Sequence, residues 1–188
     1  MSSRVGQQQA AVQALPISTV QPDLPALDQV NDDALVALIF EGDQPPRGLA
    51  GLIDWRTDGT ISRMAARGKI TGEIGECVLF STNNRTSCGF ILFMGLGPRR
   101  ELNAERLRTV GALAREKLLR AKVARFAFGL PPLDGTAVTW NEAFSIWLQE
   151  VCLQAGWEGV TIIDDAERVR KFTLTMPETL RRRISYSV

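Results

Sequence analysis

Short apolar runs alternate with amphipathic stretches along most of the chain. Ala34–Phe40 and Val160–Ile163 are continuous apolar segments of strand length, a pattern typical of strands buried on both faces. Ala104–Ala121 has helical periodicity instead. Its apolar positions fall on one face: Leu107, Val110, Ala114, Leu118 and Ala121. The pattern therefore predicts two buried strands and one long surface helix.

Several shorter elements lie between these three. Helices are predicted at Gly48–Trp55 and Ile61–Arg67, the second ending at Gly68. Strands are predicted at Cys77–Phe80, Gly89–Met94 and Val123–Phe128. The polar residues between the first two of these strands indicate a hairpin or two neighbouring strands.

A further helix is predicted after Thr139, because Thr139 and Glu142 have the spacing of a capping box. This helix carries an apolar stripe with Phe144 and Trp147 near its start and is expected to end at Gly156. A stripe of this kind can line a binding groove, but its spacing is the one that a core-facing helix needs. We therefore expect Trp147 to lie in the core.

The ends of the chain have weaker patterns. Residues 1–14 are predicted to be a flexible tail, and Ile17–Val20 a short edge strand. Ala166–Lys171 has the pattern of a helical turn or more, and Phe172–Thr175 that of a last strand. Residues 177–188, with Arg181–Arg183, are predicted to be a loose basic tail, which leaves residues 15–176 as one domain. Three arginines can contact nucleic acid or an acidic partner, although a solubilising role is favoured.

The alternation of strands and helices predicts an α/β fold in which a mostly parallel central sheet is flanked by helices. A hydrophobic fraction of 45%, with 4 Trp and 8 Phe, is sufficient for a substantial core. The formal net charge of +1 does not favour a nucleic acid as partner. No apolar run has the length of a membrane span, and no secretory leader is recognisable, so a cytoplasmic location is expected.

Histidine is absent, which excludes catalytic Ser–His and Cys–His pairs and His-based metal sites. The cysteines, Cys77, Cys88 and Cys152, have no CxxC spacing, so neither a disulfide framework nor a cysteine zinc site is indicated. We therefore predict no catalytic residue, no metal and no cofactor.

Two ordered stretches carry a resemblance to a known family. Gly68–Glu76 resembles a "FTGK-x-GE" segment that follows a helix ending in glycine. Ile91–Gly97, followed by Glu101–Arg108, looks like a strand–loop–helix with the pattern "LLVGLG…LTxExLRxAxG". Both patterns belong to the N-terminal, non-catalytic domain of M17 leucyl aminopeptidases. Their order and spacing agree over roughly residues 17–176.

The resemblance implies a three-layer, macro-domain-like α/β fold. In that family the chemistry belongs to the following domain, which holds two metal ions with Lys, Asp and Glu side chains. This sequence ends at Val188, where that domain would begin, so we expect no peptidase activity. Asp165-Ala166-Glu167 is similar to part of the family's metal-binding signature "NTDAEGR", but Arg168 stands where the signature has Gly. A solvated turn is therefore the favoured interpretation of these carboxylates.

Several surface features are candidates for binding. Gly95-Leu96-Gly97, followed by Arg99 and Arg100, lies between a strand and a helix, where free amides and arginines can hold an anion. A tight structural turn is the alternative, and it is also the alternative to a ligand-closing loop at Gly68–Gly75. Three tryptophans near element ends are candidates for a protein interface: Trp55, Trp140 and Trp157.

Three functions remain open from the sequence. The first is a non-catalytic interaction or assembly module that works through a protein partner or as a homo-oligomer. The second is a macro-domain-like binder of ADP-ribose or another nucleotide or anionic ligand. The third is an enzymatic role, as a residual peptidase, as an ADP-ribose hydrolase or as an aminopeptidase subunit that acts with a separate catalytic chain.

Overall fold

A mixed β-sheet forms the centre of the protein. The computed structural model describes residues 14–82 and 85–187, and within these ranges seven strands occur in the order β3-β4-β2-β5-β6-β1-β7. The strands are β1 Leu15–Val20, β2 Ala34–Ile39, β3 Cys77–Ser81, β4 Phe90–Gly95, β5 Arg125–Gly129, β6 Gly159–Ile163 and β7 Ile184–Ser187. Neighbouring strands are parallel except for β3 and β4, which are antiparallel.

Helices cover both faces of this sheet. They are α1 Leu24–Gln29, α2 Gly48–Arg56, α3 Thr60–Ala66, α4 Ala104–Arg120, α5 Trp140–Trp147, α6 Ala166–Thr175 and α7 Glu178–Arg181. A 3₁₀ turn, Arg99–Glu101, precedes α4, and a π-helical turn, Leu148–Cys152, extends α5. Apolar side chains of α4, α5 and α6 pack on one face, and those of α1, α2 and α3 pack on the other. The predicted three-layer α/β architecture is confirmed.

The central strand β2 shows why the first apolar run is continuous. All six of its residues are buried. Leu35, Ala37 and Ile39 belong to the core on the α2 side, while the alternate residues face the α4 side. Because successive side chains of a strand point to opposite faces, a strand covered by helices on both sides needs apolar residues throughout.

The helices that cover the α4 face follow their predicted patterns. Asn103 caps α4 by accepting from the Arg106 amide, and Thr139 caps α5 by accepting from the Glu142 amide. Trp147 has no solvent exposure and lies 5.8 Å from Phe128, centroid to centroid. Its assignment to the core is confirmed.

The predicted edge position of Ile17–Val20 is wrong. β1 lies between β6 and β7, where Ile17 pairs with Val160 on one side and with Tyr186 on the other. The proline-containing segment that follows also forms a helix, α1, which the sequence pattern had not indicated. Asp23 caps it by accepting from the Ala26 amide, and Pro25 lies in its first turn, where a proline needs no helical hydrogen bond.

Two further corrections concern the C-terminal part. Phe172–Thr175 is not a strand but the last turns of α6, because Val169 and Thr173 are buried one turn apart and Phe172 packs against Phe144. The predicted tail 177–188 is ordered through Ser187, since it forms α7 and β7 and β7 pairs with β1. The predicted N-terminal tail, residues 1–14, lies outside the described residues except for Ala14.

Candidate functional site

A cleft of ligand size lies at the carboxyl ends of the parallel strands. In open α/β sheets this is the edge at which ligands bind, because the loops that follow the strands diverge there. The cleft has a volume of about 500 Å³ and is formed by the segments that follow β1, β2, β5 and β6. We call it the strand-end cleft. Its lining residues are Pro22, Gly48, Leu49, Leu52, Leu130, Pro131, Pro132, Leu133, Trp140, Ile163, Asp164 and Arg168.

Most of the wall is apolar. Leu130–Leu133 follows β5, and two of its residues, Pro131 and Pro132, carry no amide proton. The first turn of α2 forms the facing side. Gly48 has a φ of +60°, and a Cβ atom at this position would lie 2.9 Å from Cδ of Pro132. The two loops therefore touch, and glycine is required for their contact.

A polar group closes one end of the strand-end cleft. Asp164, which directly follows β6, is 4% exposed. Its carboxylate accepts from Nε1 of Trp140 at 2.8 Å, from the Asp165 amide at 2.6 Å and from the Arg168 guanidinium. These bonds satisfy a buried charge that would otherwise be costly, and they fix the indole against the cleft.

Arg168 is the charged side chain of the cleft that a ligand can reach. Its guanidinium carbon lies 4.8 Å from the centroid of the Trp140 ring, and its side chain is half-exposed. Trp140 in turn stacks on Phe144, with 4.7 Å between centroids and 11° between planes. The inner side of the guanidinium is therefore occupied by the indole, while the outer side can contact a planar group.

The loops around the cleft are fixed by arginines. Arg99 donates to the carbonyl of Pro132 at 2.5 Å and to both carboxylate oxygens of Asp43. Arg47 donates to Asp134 at 3.0 and 3.2 Å, and this hydrogen bond lowers the pKa of the Asp134 carboxyl. Since these bonds join the loops after β2 and β5, they hold the cleft walls in place.

The structure speaks against the anion site predicted at Gly95, Leu96, Gly97, Arg99 and Arg100. The three amides of Gly95–Gly97 already donate to the carbonyls of Glu76, Ile39 and Gly72. Arg99 is engaged as described, and Arg100 is exposed. The sequence does not reveal that these amides are already hydrogen-bonded, because the accepting carbonyls lie in other segments of the chain.

The glycine-rich loop Gly68–Gly75 has a structural role. The Glu76 carboxylate accepts from the amides of Thr71 and Gly72 at 2.9 and 2.7 Å. A Cβ atom at Gly72 would lie 2.5 Å from the carbonyl oxygen of Phe40, and one at Gly95 would lie 1.9 Å from that of Glu73. The loop is therefore packed against the ends of β2 and β4, which supports the turn interpretation over the ligand-closing one.

The three tryptophans predicted at an interface occupy different environments. Trp55, on α2, is 70% exposed. Trp140 is half-buried in the strand-end cleft. Trp157 is 6% exposed and donates to the Val151 carbonyl at 2.8 Å, so it is a core residue and the interface prediction is wrong for it. Of the three, Trp55 is the one that presents a large apolar surface to solvent.

The carboxylates that resemble the metal-binding signature have local partners. Asp165 caps α6 by accepting from the Arg168 amide at 2.7 Å, and Glu167 pairs with Lys171 at 3.0 Å. Across residues 14–82 and 85–187, no group of three or more His, Cys, Asp or Glu side chains is arranged to hold a metal ion. In the same part of the chain, no helix is long and apolar enough to cross a membrane.

Sequence reasoning named Trp140 and Arg168 but assigned no residue to the strand-end cleft. Asp164 follows a buried strand and stands four residues before Arg168, which is the spacing of an ion pair on one helical turn. Pro131-Pro132 after β5 marks a rigid loop. These local signals exist, but only the sheet topology brings them together with Trp140 and Pro22.

Comparison with known proteins identifies related sequences and folds. The sequence profile of the cytosol aminopeptidase family, N-terminal domain, matches residues 36–146. Probable cytosol aminopeptidases of Burkholderia cenocepacia and Burkholderia orbicola are 30% identical over 111 residues, which is 58% of this chain and 22% of each relative. The chain thus matches only about a fifth of the length of these relatives.

Solved structures with the same fold include macrodomains and a leucine aminopeptidase. The macro domain of ganglioside induced differentiation associated protein 2 has a TM-score of 0.68 at 12% identity, covering 94% of this chain and 88% of its own. A Trypanosoma brucei macrodomain has a TM-score of 0.63 at 18% identity, covering 83% and 66%. A tomato leucine aminopeptidase mutant has a TM-score of 0.56 at 15% identity, and the match covers 87% of this chain and 36% of the aminopeptidase. The fold is macrodomain-like, and the chain belongs to the cytosol aminopeptidase family, of which it contains the N-terminal domain.

Proposed function

We propose that this domain is a non-catalytic binding module whose strand-end cleft holds a small ligand with a planar ring. The observation that carries the proposal is the position of Arg168, which lines the strand-end cleft and covers Trp140 with the inner side of its guanidinium, while its outer side is left for a ligand because the side chain is half-exposed. A planar ring can stack on this outer side, and the apolar wall of leucines and prolines can cover the rest of the ligand.

A nucleoside is the ligand class that these features favour. The Trypanosoma brucei macrodomain, which has the same fold, was solved in complex with ADP-ribose. In the present chain, the loop after β5 contains Pro131 and Pro132, which cannot donate backbone hydrogen bonds to a diphosphate. We therefore propose that the ring contributes most of the affinity and that a diphosphate adds little.

Calorimetric titration tests this proposal with adenosine, AMP and ADP-ribose as probes. All three are expected to bind with similar affinity. Arg168→Ala should weaken each of them by about 5- to 30-fold, the value of a desolvated cation–π contact of about 1–2 kcal/mol. Arg170→Ala is the matched control, because this arginine is also exposed on α6 but does not line the cleft.

Two results would contradict the proposal. If none of the probes binds at millimolar concentration, the nucleoside class is wrong. If ADP-ribose binds more than about tenfold tighter than adenosine, which is about 1.4 kcal/mol, then the diphosphate is recognised despite Pro131 and Pro132, and the proposal is wrong. Melting curves of both variants verify that any change in affinity is not caused by unfolding.

Association with a protein is a second candidate function. It is favoured by large apolar side chains on the surface, above all Trp55 at 70% and Leu79 at 63% exposure. Aromatic side chains such as that of Trp55 are enriched at protein–protein interfaces. Under this proposal the domain acts in assembly, through a homo-oligomer or another subunit, and its role does not depend on a ligand in the strand-end cleft.

A further inference from the structure

We propose that Asp164 determines the ligand specificity of the strand-end cleft. By pairing with Arg168 it balances the charge of the guanidinium and leaves the flat face of this group for a ring, so that a phosphate on the ligand adds no affinity. The inference rests on the proposed function and names the ligand class of the same site: nucleosides, with or without phosphates. Asp164 acts through Arg168 and is a positioning residue.

The charge balance of the cleft is the first observation. Among the described residues that line the cleft, Asp164 and Arg168 are the charged ones, and they form an ion pair. The arginine is half-exposed, whereas the aspartate is buried. A ligand therefore meets the arginine, but the charge of this arginine is compensated by a carboxylate that the ligand does not reach. The attraction of a ligand phosphate is correspondingly small.

The orientation of the guanidinium is the second observation. Nη2 of Arg168 donates to Oδ1 of Asp164, and the guanidinium carbon lies 4.8 Å from the centroid of the Trp140 ring. Oδ2 of the same carboxylate accepts from Nε1 of Trp140 at 2.8 Å. One carboxylate thus holds both members of the stack. Because an arginine binds phosphate through the N–H groups at its edge and stacks through its face, this arrangement favours a ring.

An asparagine cannot replace this carboxylate. Oδ1 of Asp164 accepts from the Asp165 amide and from Arg168, while Oδ2 accepts from Trp140. Asparagine has one accepting oxygen and one donating NH₂ group, so it can satisfy one of these two sides and opposes the other. It also removes the charge that balances Arg168. In Asp164→Asn, the charge of Arg168 should therefore become available to a phosphate.

Calorimetric titration with adenosine and AMP tests the proposal. The wild type is expected to bind both with similar affinity. Asp164→Asn should bind AMP about 10- to 100-fold more tightly than adenosine, the value of a hydrogen bond to a charged group, and added salt should reduce this preference. Asp165→Asn is the matched control and should behave like the wild type. It removes the same charge one residue away, where asparagine also caps a helix well.

Arg168→Lys tests the same point at a half-exposed position, where a substitution does not disturb the core. It keeps a positive charge beside Asp164, but lysine has no flat face. Adenosine and AMP should both bind about 5- to 30-fold more weakly than to the wild type. A lysine variant that binds adenosine as the wild type does would contradict the role of the guanidinium face.

Quenching of tryptophan fluorescence by acrylamide measures the positioning without a ligand. The chain contains 4 Trp, and Trp147 and Trp157 are buried, so that in a Trp55→Phe background the quencher reports on Trp140. Asp164→Asn should increase quenching, because the indole loses its acceptor or its cover by Arg168. Arg168→Ala should increase it as well, and Asp165→Asn should not.

The outcomes separate this inference from the proposed function. If the wild type binds neither probe, the proposed function is wrong, and the inference is also wrong unless Asp164→Asn binds AMP. If the wild type binds both probes equally and Asp164→Asn shows no preference for AMP, the proposed function stands and the inference is overturned. Unchanged quenching in Asp164→Asn would overturn the inference too, since the stack would then not depend on Asp164.

Discussion

One nitrogen of the Arg99 guanidinium donates to both carboxylate oxygens of Asp43, at 2.8 and 2.9 Å. The two side chains are 19% and 13% exposed, and the guanidinium carbon lies 4.1 Å from the centroid of the Phe40 ring. An arginine that looks like an anion-binding residue in the sequence is thus a link between the loops around the strand-end cleft.

The stability of Arg99 and Arg100 variants tests whether Arg99 links the loops while Arg100 does not. Arg99→Ala should lower the free energy of unfolding by about 2–3 kcal/mol, because it leaves a mostly buried carboxylate without its charged partner. Arg100→Ala should change it by less than about 0.5 kcal/mol, as expected for an exposed side chain. Urea denaturation provides both values. Equal effects of the two substitutions would show that the Arg99 contacts do not stabilise the loops.

Removal of the buried indole on α5 should have a larger effect. Trp147→Ala is expected to lower the free energy of unfolding by about 3–5 kcal/mol, the range for truncating a buried aromatic side chain. Trp55→Ala is the matched control and should change it by less than about 0.5 kcal/mol, because its side chain is 70% exposed. A wild-type melting temperature for Trp147→Ala would contradict the position of this residue in the core.

The thiols should differ in reactivity with iodoacetamide. Burial raises the pKa of Cys88 to about 11, so that about one thiol in a thousand is ionised at pH 8, and it raises the pKa of Cys152 as well. Cys77 is half-buried, although burial raises its pKa too. We expect Cys77 to be alkylated first in the folded protein.

The rate at Cys77 should also rise about tenfold per pH unit below its pKa, because the thiolate is the reacting species. Peptide mass spectrometry resolves the three sites. Alkylation of Cys88 or Cys152 before Cys77 in the native protein would contradict this order, whereas reaction of all three in denaturant is the positive control.

This chain alone should not hydrolyse leucyl-anilide substrates when manganese or zinc is added. The physical reason is that a two-metal site needs ligands that converge from several elements, and the described residues contain no such group. The assay compares the wild type with Asp165→Ala. Metal-dependent turnover that survives repurification and is lost in the variant would show that the prediction is wrong.

The layered fold was predictable from sequence because its periodic patterns are local. β2 and α4 carry clear strand and helix patterns, and both occur where expected. The position of β1 was not predictable, since nothing in Leu15–Val20 specifies that a strand from the far end of the chain lies on its outer side. The helical state of Phe172 depends on packing against Trp140 and Phe144, which lie about thirty residues away in sequence.

The candidate site was less predictable than the fold. Asp164 and Trp140 are separated by 24 residues, and their hydrogen bond exists because the loops after β5 and β6 end at the same edge of the sheet. The glycines and arginines at 95–100 match a local anion-binding pattern, yet their partners lie in distant segments. Local patterns identify residue types that can bind, whereas tertiary contacts determine which of them remain available.

The position of β1 has a consequence for synthesis on the ribosome. Within this sheet, Ile17 is translated before strands β2 to β5, whereas its neighbours Val160 and Tyr186 are translated after them. Strands β2, β3, β4 and β5 can pair as soon as residue 129 has emerged, while β1 must wait, unpaired and apolar, until β6 follows. Nascent chains should therefore acquire protease resistance first in strands β2 to β5, and β1 should become protected only after β6 has emerged.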